Sequence, residues 1–83
     1  MLHIESAKYV SGYKLWLTFD DGSEGEVDLS HSLKGSIFEP LKDVESFSKV
    51  FIDPELETTV WPNGADFAPE YLKRLQLDQL ANK

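Results

Sequence analysis

The run from Gly12 to Gly22, GYKLWLTFDDG, restricts the fold more than any other part of the chain. Tyr13, Leu15, Leu17 and Phe19 alternate with Lys14, Trp16 and Thr18, the period-two pattern of a strand with one face in a core and one in water. Ser11-Gly12 precedes it and Asp20-Asp21-Gly22-Ser23 follows, and each supplies a glycine able to take the positive φ that tight hairpin turns need. A strand bounded in this way calls for a partner on each side, so the N-terminal third predicts a three-stranded antiparallel meander. On its third strand Glu24, Glu26 and Asp28 share one face, while Gly25, Val27 and Leu29 share the other. The acidic row is expected to be the wet side.

With 83 residues the chain makes one domain, residues 1–83, and buries too little surface for a deep catalytic cavity. Two Trp, three Tyr and five Phe enrich the core, and there is no Cys. Disulfide frameworks, thiolate chemistry and Cys-type zinc sites are therefore excluded. The first ten residues lack a basic start, an apolar run and a small-residue cleavage site, and no apolar run reaches membrane-spanning length. A cytoplasmic protein that does not enter membranes is expected.

Eight basic residues face fifteen acidic ones, a net charge of −7. The excess is spread along the chain, and no basic stripe is present to release counterions from a phosphate backbone. Direct nucleic-acid binding is not expected; a basic protein partner is. The row Glu24, Glu26 and Asp28 is one candidate surface for it.

From Ser30 to Val50 the pattern becomes irregular. A turn is expected over Ser30 to Gly35, then an irregular run through Pro40. One short helix follows, capped by Asp43, with Val44, Phe47 and Val50 as its apolar side. Phe51-Ile52 and Thr58 to Trp61 read as two short strands joined through Asp53-Pro54-Glu55-Leu56. A final helix is expected over roughly residues 69–80. The fold class is α+β: a small antiparallel sheet, made of the meander plus a later strand pair, with a short middle helix and a C-terminal helix.

Between the last strand and the last helix stands VWPNGADFAPEYL, Val60 to Leu72. Pro62-Asn63-Gly64 suits a tight turn, Pro69 a first helical turn, and Asp66 is placed for its carboxylate to accept from free amides of the turn or helix start. Trp61 and Phe67 would bracket the corner. A structural role explains each of these residues, while Trp61, Asn63 and Asp66 are also the candidates for a small-ligand site. On the last helix Tyr71, Leu72 and Leu75 form a stripe with Ala68, and Leu77 and Leu80 fall away from it. Those two leucines are candidates for docking a second copy of the chain or a partner helix.

VWPNGADFAPEYL, together with FIDPELETTV and LTFDDGSEGEVDLS, closely resembles the small bacterial family known as domain of unknown function 2442. The resemblance spans nearly the whole chain and implies an α+β fold without an established activity. Some relatives continue into a helix-turn-helix domain, which implies a sensor or dimerisation role. Others are paired with a second small protein in modules that resemble toxin and antitoxin. This chain ends at Lys83 without room for a helix-turn-helix domain, so partner binding is the stronger expectation.

Catalytic signals are thin. His3 and His31 lack metal-ligand spacing, and although His31 stands between Ser30 and Ser32, sequence neighbours seldom make a nucleophile and base pair. Asp20 to Glu24 lacks the alternating ligands of a calcium loop, and the scattered glycines form no phosphate cradle. The expected protein is a non-enzymatic, acidic interaction module without metal or cofactor, the antitoxin-like member of a two-protein module. The alternative is a ligand-binding or dimerisation domain of a regulator, and a small hydrolase stands third.

Overall fold

The computed structural model describes residues 1–81. Strands β1 (Ile4–Ser11), β2 (Lys14–Phe19) and β3 (Glu24–Asp28) form an antiparallel meander in the order β1-β2-β3. A 3₁₀ turn (Glu39–Lys42) leads into the one-turn helix α1 (Val44–Phe47), and strands β4 (Phe51–Asp53) and β5 (Thr58–Val60) form a separate antiparallel pair. Helix α2 (Pro69–Ala81) closes the fold. The molecule is α+β, with the elements the sequence predicts.

The alternation on β2 is obeyed strictly. Leu15, Leu17 and Phe19 are fully buried, and Lys14 and Trp16 face out. Their cross-strand partners follow, with Leu15 opposite Val27 and Leu17 opposite Gly25. Strand β1 lacks so clean a pattern because its register shifts between Ile4 and Ser6 and again between Tyr9 and Ser11; each bulge turns the following side chains to the other face. The core stacks the inner sheet face on Leu33, Leu41, Phe47, Trp61, Ala65 and Leu72. Phe47 sits at its centre, with Tyr13 edge-on at 5.4 Å and Trp61 at 5.5 Å between ring centroids.

Asp43 caps α1 as the sequence predicts, its carboxylate accepting from the Ser46 amide at 3.2 Å. The apolar side expected for this helix is only partly formed. Phe47 is buried and Val50 packs against the core, but Val44 is exposed, because a single turn presents just one position squarely to the core. The run through Pro40 is more ordered than expected: Leu41 is buried from the 3₁₀ turn, and the Tyr13 hydroxyl donates to the Lys42 carbonyl.

Helix α2 departs further from its wheel. Leu72 is buried and Leu75 is partly buried, whereas Tyr71 is exposed, stacked on Phe67 at 5.4 Å with its hydroxyl 2.7 Å from that of Ser32. The second buried position is Gln76. It fits because Gly25 on β3 has no side chain: a Cβ there would lie 2.2 Å from Gln76 Nε2. Three residues on, the Gln79 carboxamide accepts from the Asp28 amide at 2.9 Å and donates to the Asp28 carbonyl at 2.8 Å. This is the bonding a fourth strand would offer, so α2 satisfies part of the open edge of β3.

Candidate functional site

The outer face of the meander is set by the same alternation that builds the core. Trp16 stands at its centre, 39% exposed, in a cross-strand row that runs Lys8, Trp16, Glu26. Thr18 pairs with Glu24 and Lys14 with Asp28, so the basic side chains lie on the β1 and β2 side and the acidic ones on β3. The end of α2 comes over the β3 edge and places Leu80 opposite Trp16. Between them lies a groove of about 290 Å³, lined by Trp16, Glu24, Gly25, Glu26, Gln79 and Leu80. A neighbouring hollow of about 370 Å³ shares Glu26 and Gln79 and continues to Asp28 and His31.

Most acidic side chains near the turns already have structural partners. Asp20 accepts from the His3 amide at 3.0 Å, which, with the His3 ring, holds its carboxyl below the usual carboxylate range. Asp21 is held low too, by the Ser23 hydroxyl, the Ser23 amide and Lys73. Asp28 accepts from the Ser30 amide and Asp53 from the Glu55 amide. Glu24 and Glu26 differ: among the described residues neither enters an ion pair or a side-chain hydrogen bond. Nor does any ring or ammonium group among the described residues stack on Trp16.

The groove thus brings Glu24 and Glu26, two members of the acidic row the sequence singles out, together with Leu80, which it singles out separately. Trp16 is the residue sequence reasoning missed as a site candidate. Its signal was present, since a Trp on the polar side of an amphipathic strand has no core to enter. Leu77 is exposed but lines a different hollow, with Leu2, Glu70, Lys73, Arg74 and Asp78. The two leucines, both exposed, thus border different hollows.

The corner from Val60 to Pro69 is built otherwise than expected. Trp61 is fully buried and its indole N–H donates to the Phe47 carbonyl at 2.8 Å, which leaves no indole surface for a ligand. Asn63 does the work assigned to Asp66: its side-chain oxygen accepts from the Ala65 amide at 3.1 Å, and its nitrogen donates to the Ile37 carbonyl at 2.8 Å. Gly64 takes φ +90° in the turn. The Asp66 side chain is exposed and accepts no hydrogen bond among the described residues; only its backbone takes part, bridging to Val60. A small hollow of about 170 Å³ lies between Pro40, Ser46, Lys49, Pro62 and Asn63, and Asp66 does not line it.

His3 is a tie between elements. Its Nδ1 lies 3.0 Å from Asp20 and its Nε2 2.9 Å from Glu57, and Glu57 holds a left-handed φ of 54° in the β4–β5 turn. Among the described residues no set of three or more His, Asp or Glu side chains converges as metal ligands would, and no helix is long and apolar enough to cross a membrane.

The family described as "Protein of unknown function (DUF2442)" matches residues 4–76. No curated protein matches the chain. Among solved structures, the crystal structure of a "Putative DNA Binding Protein" from Nitrosomonas europaea superposes with a TM-score of 0.86 at 22% identity, covering 98% of this chain. The chain spans 52% of that protein's length, and the likeness at this identity is one of fold.

Proposed function

The chain belongs to the DUF2442 family of proteins of unknown function, and we propose that it acts as a non-enzymatic interaction module that binds a basic protein partner on the outer face of its meander. One observation carries this reading: Glu24 and Glu26 are unpaired beside the unstacked Trp16, while the acidic residues of the nearby turns are used internally. The net charge of −7 adds a long-range field that speeds encounter with a basic surface and weakens with salt. Within a two-protein module this chain is the antitoxin-like member, working in the cytoplasm. Purification of the tagged chain from its native host at low salt tests the proposal. A basic protein retained in fixed stoichiometry and released as salt rises is the expected result. Recovery of the chain alone, or with acidic proteins only, would count against it.

A second reading rests on the Nitrosomonas protein, in which this fold makes up about half of a chain described as DNA binding. On that reading the module serves as the ligand-binding or dimerisation part of a regulator, with the hollow beside Asn63 as its small-molecule site. DNA contact would then fall to the other half, since this half is acidic throughout.

A further inference from the structure

We infer that the groove between Trp16 and the end of α2 is a socket for an arginine side chain, whose guanidinium stacks on the Trp16 indole and bridges to Glu24 and Glu26. The partner as the source of that arginine rests on the proposed function; the socket follows from its own geometry. Trp16 lies in the middle strand, paired on one side with Lys8 and on the other with Glu26, so the sheet holds its ring on the surface. Cross-strand neighbours on one face stand about 5 Å apart at Cβ, which puts the Glu26 carboxylate within reach of a cation on the ring, with Glu24 one pair further along β3.

The facing wall is also held in place. Gln79 is fixed by its two bonds to Asp28, and Leu80, the next residue, covers the hydrocarbon part of an entering side chain. The floor is the Gly25 backbone. At about 290 Å³ and open to solvent, the groove lies at the lower end of ligand pockets, which run to roughly 1,000 Å³. It takes one long side chain more readily than a cofactor.

Charge and shape select the occupant. Lys8 flanks Trp16 on the β1 side, away from α2, and repels a cation there, so the favourable approach is over β3. Lys14 lies apart from this groove, across from Asp28, in the neighbouring hollow with Gln79 and Leu75. A guanidinium is planar, stacks on indole and offers paired donors to carboxylates, whereas an ammonium is a point charge that keeps its water more tightly. The aliphatic stem shared by Arg and Lys suits Leu80, but the planar head distinguishes them at Trp16.

The test uses three synthetic pentapeptides, acetyl-Gly-X-Gly-X-Gly-amide with X as Arg, Lys or citrulline, titrated into the isotopically labelled chain and followed by NMR. The Arg peptide is expected to shift the Trp16 indole and Leu80 methyl signals saturably, leaving the indole of the buried Trp61 unmoved. It should bind about three- to tenfold more tightly than the Lys peptide, and citrulline should not bind detectably. Trp16→Thr should remove the preference for Arg over Lys. Glu24→Gln with Glu26→Gln should weaken both cationic peptides about tenfold, and the control pair Glu45→Gln with Glu55→Gln should weaken neither. Equal affinities for Arg and Lys, equal effects of the two carboxylate pairs, or no saturable shift would each overturn the socket. A basic host partner that binds wild type and the triple variant of Trp16, Glu24 and Glu26 alike would overturn the socket and leave the interaction module standing. A working socket in a chain with no basic partner would overturn the module alone.

Discussion

At the scale of single residues, the corner after β5 separates two side chains that sequence position makes look alike. Asn63 and Asp66 are both polar, both near a turn and both able to accept from backbone amides. Only Asn63 has donors and acceptors within reach, the Ala65 amide and the Ile37 carbonyl. Asn63→Ala should therefore cost about 1 to 2 kcal/mol, two modest hydrogen bonds at a partly exposed site. Asp66→Ala should stay within about 0.5 kcal/mol of wild type, as substitutions at unbonded surface positions do. Urea unfolding of the two variants checks this; a larger loss for Asp66→Ala would return the capping role to the carboxylate. Gly25 makes the complementary point. Its φ is not in the left-handed region, and what requires glycine there is the Gln76 side chain packed where a Cβ would stand.

At the scale of elements, α2 performs two tasks with one face. Leu72 seats its first turns in the core, and the two glutamines, a turn later, lie against the β3 edge. An exposed edge strand invites pairing with other chains, and a carboxamide that both accepts from and donates to Asp28 occupies that bonding capacity. Gln79→Ala should loosen the last turns of α2 without unfolding the sheet. Hydrogen exchange reads this directly: the Asp28 amide, bonded to Gln79, should exchange faster in the variant while the Val27 amide keeps its protection. Equal acceleration at both positions would mean that Gln79 supports global stability and not the edge. The same contact orients Leu80, so the variant also tests whether α2 must be anchored for the Trp16 groove to keep its wall.

At the scale of the whole molecule, two small sheets have to be held as one body. Trp61, at the end of β5, does this from inside, packed on Phe47 and bonded to its carbonyl. His3 does it from outside, between Asp20 in the β2–β3 turn and Glu57 in the β4–β5 turn, with the Ile4 amide donating to the Glu57 carbonyl at 2.9 Å. Because the folded chain holds the Asp20 carboxyl below its ordinary value, chiefly through the His3 amide, the stability it contributes is fully present above the unfolded carboxylate pKa of about 4. It is lost as pH falls through the lower folded value. Asp20→Asn should lower the melting temperature at neutral pH and reduce its fall from about pH 5 to pH 2. A variant whose melting temperature falls as steeply as that of wild type would remove Asp20 from the acid response.

What the sequence determined by itself were the features that neighbours impose on one another. The meander follows from alternation between turn glycines, the α1 cap from Asp43 just ahead of an apolar position, and the span of α2 from Pro69 and the helical pattern behind it. Each is a local preference in backbone angle or a periodic division between core and water, and tertiary packing had only to agree with it. The exposure of Trp16 is of the same kind, since β2 can present only one face to the core. The tertiary structure alone decided which distant segments come together: Gln79 with the Asp28 backbone, 51 residues apart, Gln76 with Gly25, Asn63 with the Ile37 carbonyl, and Leu80 across the groove from Trp16. Those contacts depend on where α2 crosses the sheet, which is fixed by the summed packing of the core and not by any local signal. That is why the acidic row could be read in advance, while the groove that gives it a shape could not.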